Sequence, residues 1–376
     1  MLNQSGLLSS FLTDSWIPSP WQSIVSRFSE SLSLRHHQGI PDSLVQSATV
    51  QRVLVDLIMR GKGLKGWDGI DFRNSWFQRW SANQVEKCDS GTDVCFSYSY
   101  TALAPFRAAR KRGMACVLGQ IDPGPLELEI VDSATKQYSN LKLGEENPPA
   151  RYWESWRKEL QIADLIIVNS EWSKDLLIRQ GVEESKLEIL PLTYERPAHS
   201  APTKAVKHEA SMITVLFLGQ IILRKGLGQL FDAIRLLSRQ PIRFLLAGPV
   251  GIGIPGHISA NPNVEILGAV DRLKANALYQ ESDVFILPTL SDGFAITQLE
   301  ALAHGLPLVV SRYCGSVAKH GVNGLILDEV TPQEIVKALT MLLDHSLLSE
   351  LKAGAKLTDS FKFNEVASQL SHLISL

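Results

Sequence analysis

The stretch Ser291-Asp-Gly-Phe-Ala-Ile-Thr-Gln-Leu-Glu300-Ala-Leu-Ala-His-Gly305-Leu-Pro-Leu-Val-Val310 decides how the rest of the chain is read. The apolar run Val284-Phe-Ile-Leu287 enters it through Pro288, and a polar turn carrying Asp292 and Gly293 follows. Ile296, Leu299, Ala303 and Leu306 recur at spacings close to one helical face, which predicts a helix from about Ala295. Gly305 and Pro307 stop that helix, and Leu308-Val309-Val310 reads as the next buried strand. One acid, Asp292, therefore sits at a strand-to-helix turn, and a second, Glu300, lies about one turn inside the helix. The free N–H groups and partial positive charge of a helix N-terminus suit an anionic ligand. A carboxylate on the inner side of such a helix is costly to bury unless it accepts hydrogen bonds, and the vicinal hydroxyls of a ribose or sugar supply them. The pattern points to a site for a nucleotide sugar.

Outward from this stretch, strands and helices alternate. Upstream of it the pattern predicts strand Ile213–Leu218, helix Leu227–Leu237, strand Phe244–Ala247, a short strand near Val264–Leu267, helix Arg272–Tyr279 and strand Val284–Leu287. Downstream it predicts helix Gln333–Leu343 and a C-terminal helix ending at Leu376. The first half repeats the alternation from Asp93: strand Val94–Tyr98, helix Ala102–Lys111 ended by Gly113, and strand Met114–Leu118 running into the turn Gly119-Gln-Ile-Asp-Pro-Gly124. Helix Tyr152–Ile162, strand Leu165–Val168, Ser170 as a helix N-cap, helix Trp172–Gln180 and strand Leu187–Leu190 follow. Such units imply parallel sheets covered by helices on both faces. Glu195–Ser211, with two prolines and no periodicity, reads as a linker. The fold class expected is α/β, with two Rossmann-like domains, residues 1–200 and 201–376, facing each other across a ligand cleft.

The front of the chain is less regular. Leu8–Thr13 fits a short strand. Trp21, Ile24, Val25, Phe28 and Leu32 form one helical stripe that reads as core packing, since its other face is rich in Ser rather than Lys or Arg. A helix is expected over Val50–Arg60. The stretch carrying Trp67, Phe72, Trp76, Phe77 and Trp80 reads as a packed, irregular loop near the cleft, and Asp68 and Asp71 within it lack a third ligand for a metal.

Composition narrows the function classes. A net charge of −2 over 376 residues gives no footprint for nucleic acid. No apolar run approaches the ~20 residues of a membrane span, which leaves only peripheral membrane contact, and the N-terminus lacks a signal-peptide pattern. Cys88, Cys95, Cys116 and Cys314 show neither a C-x-x-C pair nor zinc spacing and read as reduced thiols of a cytoplasmic protein.

Chemistry concentrates at a second loop, Phe217-Leu-Gly219-Gln220-Ile-Ile-Leu-Arg224-Lys225-Gly226. Gly219 lets a ligand approach the backbone. Arg224 and Lys225 put two cations beside a helix start, an arrangement suited to a diphosphate. Both loops lie at strand C-termini of one sheet, where open α/β folds bind ligands.

The order and spacing of these pieces resemble the family 4 (group 1) glycosyltransferases of the GT-B fold. The resemblance begins near Phe96-Ser-Tyr-Ser-Tyr-Thr101, becomes firm at Ala163-Asp-Leu-Ile-Ile-Val-Asn-Ser170, and continues through Lys186-Leu-Glu-Ile-Leu-Pro191, Leu216-Phe-Leu-Gly219 to Lys225-Gly226, and Ser282-Asp-Val-Phe-Ile-Leu-Pro288. It is strongest at Asp292 to Pro307 and ends at Gly321-Val-Asn-Gly324. It implies a retaining transferase that moves a sugar from a nucleotide-diphosphate donor to a glycan, lipid-linked or small-molecule acceptor. No metal and no cofactor are implied, because cationic side chains and helix dipoles neutralise the departing diphosphate. On this resemblance Lys225, assisted by Arg224, holds the phosphates, and Glu300 binds the ribose hydroxyls. Asp292 contacts the donor sugar beside the backbone of Gly293, Phe294 and Ala295, with Ile296 closing that stretch. The base rests near Gly268-Ala269-Val270.

Four departures from the family pattern stand out. Asp292 replaces the usual glutamate, one methylene longer. Gln220 stands where many members carry an arginine. Gln120 and Asp122 occupy the turn that carries a histidine in many members, and Asp122 is expected beside Asp292 and Lys225 at the reacting centre. Members also begin with a strand and a glycine-rich turn that this sequence lacks, so the expectation is a natural start upstream of Met1 or a rearranged first domain. These departures keep a rival alive, a non-catalytic nucleotide- or glycan-binding relative. A third reading, a nicotinamide-dependent dehydrogenase, is poor.

Overall fold

A computed structural model describes residues 1–22, 35–89, 91–144, 147–196 and 212–375. Its first half opens with a parallel two-stranded ribbon of β1 (Phe11–Thr13) and β2 (Val45–Ser47), followed by helices α1 (Thr49–Gly61) and α2 (Gly66–Val85). Strands β3 (Val94–Tyr98), β4 (Ala115–Gly119), β5 (Leu165–Val168) and β6 (Leu187–Ile189) then form a parallel sheet in that order. They alternate with α3 (Leu103–Lys111), α4 (Pro125–Thr135), α5 (Ala150–Ile162) and α6 (Glu171–Arg179).

The second half builds a six-stranded parallel sheet. Its strands are β7 (Ile213–Leu218), β8 (Ile242–Ala247), β9 (Val264–Gly268), β10 (Val284–Leu287), β11 (Leu308–Ser311) and β12 (Gly324–Leu327), in the order β12-β11-β10-β7-β8-β9. The helices are α7 (Leu227–Leu236), α8 (Gly256–Ser259), α9 (Arg272–Glu281), α10 (Thr297–Ala303), α11 (Pro332–Met341), α12 (His345–Gly354) and α13 (Phe363–Ile374). All four residues of β10 are buried, as continuous apolar runs require in a sheet covered on both faces. The strand order reverses between β7 and β10. That reversal is the crevice where doubly wound sheets take ligands, and it sets the loops after these two strands side by side.

The two halves clasp each other. Tyr138 and Leu141, just beyond α4, join the core of the second sheet. In the other direction Val366 and Leu370 of α13 pack with Val117, Leu165, Ile167 and Leu190 of the first. Tyr138 Oη donates to Asp232 at 3.0 Å, and a Cβ on Gly228 would stand 2.5 Å from the Tyr138 ring. Gly228→Ala is therefore expected to lower stability by about 1–3 kcal/mol through overpacking of this contact, as read by chemical denaturation. An unchanged midpoint would mean that the Tyr138 segment does not dock as described.

Several expectations change. The aromatic stretch from Trp67 to Trp80 is not an irregular loop but part of the 20-residue helix α2. No proline interrupts it, its aromatics spread over more than one face, and packing against α3 stabilises it. Asp68 and Asp71 are taken by Arg151, at 2.9 and 2.5 Å. Helix α10 begins two residues later than expected, because Ala295 adopts the left-handed conformation at φ 64°. Helix α4 was not anticipated; it starts at Pro125 after Gly124 at φ 76°, a proline at the first helical position. Of the stripe Trp21 to Leu32, only Trp21 is described, and it is exposed; most of the linker Glu195–Ser211 also lies outside the described residues. No helix among the described residues is long and apolar enough to cross a membrane.

Candidate active site

The loop after β7 is shaped by close backbone packing. A Cβ on Gly226 (φ 74°) would stand 1.9 Å from the Pro288 carbonyl oxygen, so only glycine lets this loop lie flush on the one that follows β10. The Leu290 N–H and the Thr289 hydroxyl donate to the Arg224 carbonyl at 2.8 and 3.2 Å, tying the loops together. At that junction the Lys225 ammonium pairs with the Asp292 carboxylate. Arg224 Nη1 donates to the Ser291 carbonyl at 2.8 Å and stands 3.8 Å from Asp292.

Residues 293–295 are held in an unusual backbone path. Ala295 is one of two non-glycine residues with positive φ among the described residues, a conformation that persists only where its surroundings enforce it. Gln298 Nε2 donates to the Phe294 carbonyl at 2.9 Å, and the Phe294 side chain is buried. A Cβ on Gly293 would lie 2.3 Å from the Ile121 carbonyl of the first half. The loop after β10 is thus pressed against the turn that carries Asp122.

Across the cleft, Asp122 Oδ1 accepts from the Tyr100 hydroxyl at 2.5 Å and from the Gly124 N–H at 2.8 Å. Burial raises its pKa, while these bonds and the Arg224 charge pull the other way. Trp172 Nε1 donates to Ser291 Oγ at 2.9 Å, another tie across the cleft. On α10, Glu300 Oε2 accepts from Tyr279 Oη at 2.8 Å. Burial, and after it the Glu300 charge, push the Tyr279 phenol pKa far up. The Tyr279 ring stacks on His304, with centroids 4.9 Å apart, so the glutamate's setting is rigid.

The structure therefore brings Asp292, Lys225, Arg224, Gly293, Phe294, Ala295 and Asp122 together. Glu300 stands further along α10, oriented by Tyr279. Gly219 and Gln220 follow β7, and Val270 follows β9, on the same sheet edge; Gln220 and Ile296 are exposed and outside the ion-pair cluster. Gly248 adds to this edge, since a Cβ there would stand 1.8 Å from the Gly219 carbonyl.

Sequence reasoning missed Glu127. It lies in the first turn of α4, with Arg224 Nη1 3.8 Å from its Oε1. Burial pushes its pKa up to about 7, and Arg224 is the leading influence that lowers it. An acid after Gly124-Pro125 carries a signal only for a helix start, and folding alone brings it to a cation on the other half. Tyr279 was missed likewise, as one more apolar-face residue of α9.

Comparison with known proteins agrees with this geometry. Residues 213–345 match the family model described as Glycosyl transferases group 1. The chain is 28% identical over 185 residues to a glycosyltransferase of Methanocaldococcus jannaschii, covering 47% of each. It is 28% identical over 240 residues to the D-inositol 3-phosphate glycosyltransferase of Corynebacterium urealyticum, covering 56% of each. The chain spans about half the length of these curated relatives. Among solved structures, the Anabaena protein HepE in complex with UDP superposes with a TM-score of 0.61 at 16% identity, over 97% of this chain and 98% of that one. The chain thus has the GT-B fold, with the group 1 glycosyltransferase pattern carried by residues 213–345.

Proposed function

We propose that the protein is a retaining, metal-independent glycosyltransferase that takes a sugar from a nucleotide-diphosphate donor bound at the second sheet's switch point. The observation that carries this reading is the meeting of Lys225, Arg224 and Asp292 where the loops after β7 and β10 join. Two cations on adjacent residues are placed to take the charge that develops on a departing diphosphate. The donor sugar then lies between Asp292, the backbone of Gly293 to Ala295 and Asp122. Glu300 accepts the ribose hydroxyls through the carboxylate that Tyr279 orients, and the base rests against Gly268 to Val270. The relatives named as glycosyltransferases support the reading, as do the structures of HepE solved with UDP and with UDP-glucose.

A panel of UDP, GDP and ADP sugars scored by thermal shift tests it. A donor at ~100 times its dissociation constant adds about 2.7 kcal/mol of stability, and Glu300→Ala is expected to lose most of that gain. A bound donor that is neither hydrolysed nor transferred to any acceptor would favour the non-catalytic rival. No stabilisation by any member of the panel would overturn both readings.

A further inference from the structure

Between the halves, next to Arg224 but on the first-half side, lies a cavity of about 520 Å³, within the usual range for a small-molecule site. Its walls include Trp67, Tyr152 and Trp153, with Asp122, Glu127 and Arg224 toward the donor loops. We propose that this cavity binds the acceptor, and that the acceptor is an uncharged, hydroxyl-rich ring, a sugar or polyol, rather than an anionic or phospholipid-like molecule. The inference rests on the glycosyl-transfer reading above and specifies its second substrate.

Three observations carry it. The first is the aromatic wall. The rings of Trp67 and Tyr152 meet edge to face at 5.0 Å, and those of Tyr152 and Trp153 at 5.2 Å, with Tyr100 stacked on Tyr152 at 4.7 Å. Such a braced wall offers flat faces of negative quadrupole. These faces attract the electropositive C–H groups of a sugar ring and repel a phosphate or carboxylate.

The second is the charge of the cavity. Its carboxylates are Asp122, Glu127 and Asp132, and its cations are Lys142 and Arg224. Lys142 is paired with Asp132 at 2.9 Å, and Arg224 is shared among the Ser291 carbonyl, Glu127 and Asp292. An anion entering here would meet three carboxyl groups with both cations already engaged, at a cost that burial enlarges.

The third is Glu127 Oε1. It is buried and accepts no hydrogen bond from the described residues, and Arg224 at 3.8 Å stands beyond hydrogen-bond reach. A buried acceptor left in this state calls for a donor. A ligand hydroxyl supplies one, whereas an ionised phosphate or carboxylate group supplies none. Asp122 stands beside Glu127 in the same cavity and against Gly293 of the donor loop, so a hydroxyl held here faces the donor sugar.

The test offers three sets of acceptors with the nucleotide sugar chosen by the donor panel: p-nitrophenyl glucoside, galactoside and mannoside; p-nitrophenyl glucuronide; and decyl phosphate. Transfer to at least one neutral glycoside is expected to exceed that to either anion by about tenfold or more in kcat/KM. Trp67→Ala is expected to raise the acceptor KM by about tenfold while the nucleotide-induced rise in Tm persists. The near-isosteric Glu127→Gln, chosen in case the tryptophan variant fails to fold, is expected to lower acceptor kcat/KM with the same nucleotide response. Preference for the glucuronide or the phosphate, or an unmoved acceptor KM in both variants, would overturn the proposal alone. Absence of any nucleotide response in the unmodified protein would overturn the glycosyl-transfer reading and this proposal with it.

Discussion

Lys225→Ala is expected to lower kcat/KM by about 10²–10³-fold, the scale for removing one preorganised group that stabilises developing charge. The Lys225 and Asp292 side chains are only 12% and 13% exposed, so the charge acts where water screens it weakly. In the unliganded protein the ammonium is balanced by Asp292, with Arg224 3.8 Å from the same carboxylate. On the proposed reading an arriving diphosphate replaces that partner by a stronger one. The simpler role is that Lys225 only neutralises Asp292, and a double-variant cycle separates the two. If neutralisation is the whole role, Lys225→Ala will cost nothing further in an Asp292→Asn background; if the ammonium meets the diphosphate, it will cost as much there as in the unmodified protein. Steady-state kinetics with the selected donor decide, with far-ultraviolet circular dichroism confirming the fold. Lys225→Ala turning over within about threefold of the unmodified protein would remove the lysine from the mechanism.

The cluster around Lys225 shows which parts of the molecule were legible in the sequence. Val284–Leu287 and Ile213–Leu218 match the strands read from their apolar runs, because strands buried on both faces leave no room for polar residues. Ser170 caps α6 as its position suggested, accepting from the Ser173 N–H at 3.1 Å. These signals are local, and they also place Arg224, Lys225 and Asp292 in the loops after β7 and β10 and Glu300 in the helix that follows. What escaped is nonlocal. Helix α2 has no clean amphipathic period and depends on packing against α3. Glu127 becomes a cleft residue only when the two halves close. The docking of Tyr138 and Leu141 on the second sheet, and of Val366 and Leu370 on the first, leaves no periodic trace that distinguishes the partner sheet. A hydrophobic stripe says that a face is buried, not against what.

Glu159→Ala should cost about 4 kcal/mol of stability, because it leaves three backbone donors without their acceptor. The Glu159 carboxylate is fully buried. Its Oε2 accepts from the Tyr100 N–H at 2.7 Å, and its Oε1 from the Ala102 and Leu103 N–H groups at 3.0 and 3.2 Å. It thereby caps the start of α3 from another element and fixes Tyr100 at φ 73°, a costly conformation for a tyrosine. Tyr100 in turn donates to Asp122 at 2.5 Å, so a residue behind the cleft helps set the position of one inside it. Burial pushes the Glu159 pKa from 4.5 up to about 7, against the pull of the three N–H groups. With the folded pKa above the unfolded one, the folded state holds more protons between these values, and stability falls as pH rises from about 4.5 to 7. The loss from this group is bounded at about 3 kcal/mol. Glu159→Gln keeps the shape but has one oxygen for three donors and turns its own N–H₂ toward one of them, so it should also be destabilised at every pH. Because glutamine does not titrate, its deficit relative to the unmodified protein should shrink as pH is raised from 5 to 8. Denaturant midpoints of the two proteins across that range check the sign. A deficit that stays constant or widens would place the Glu159 proton elsewhere and leave only the capping role.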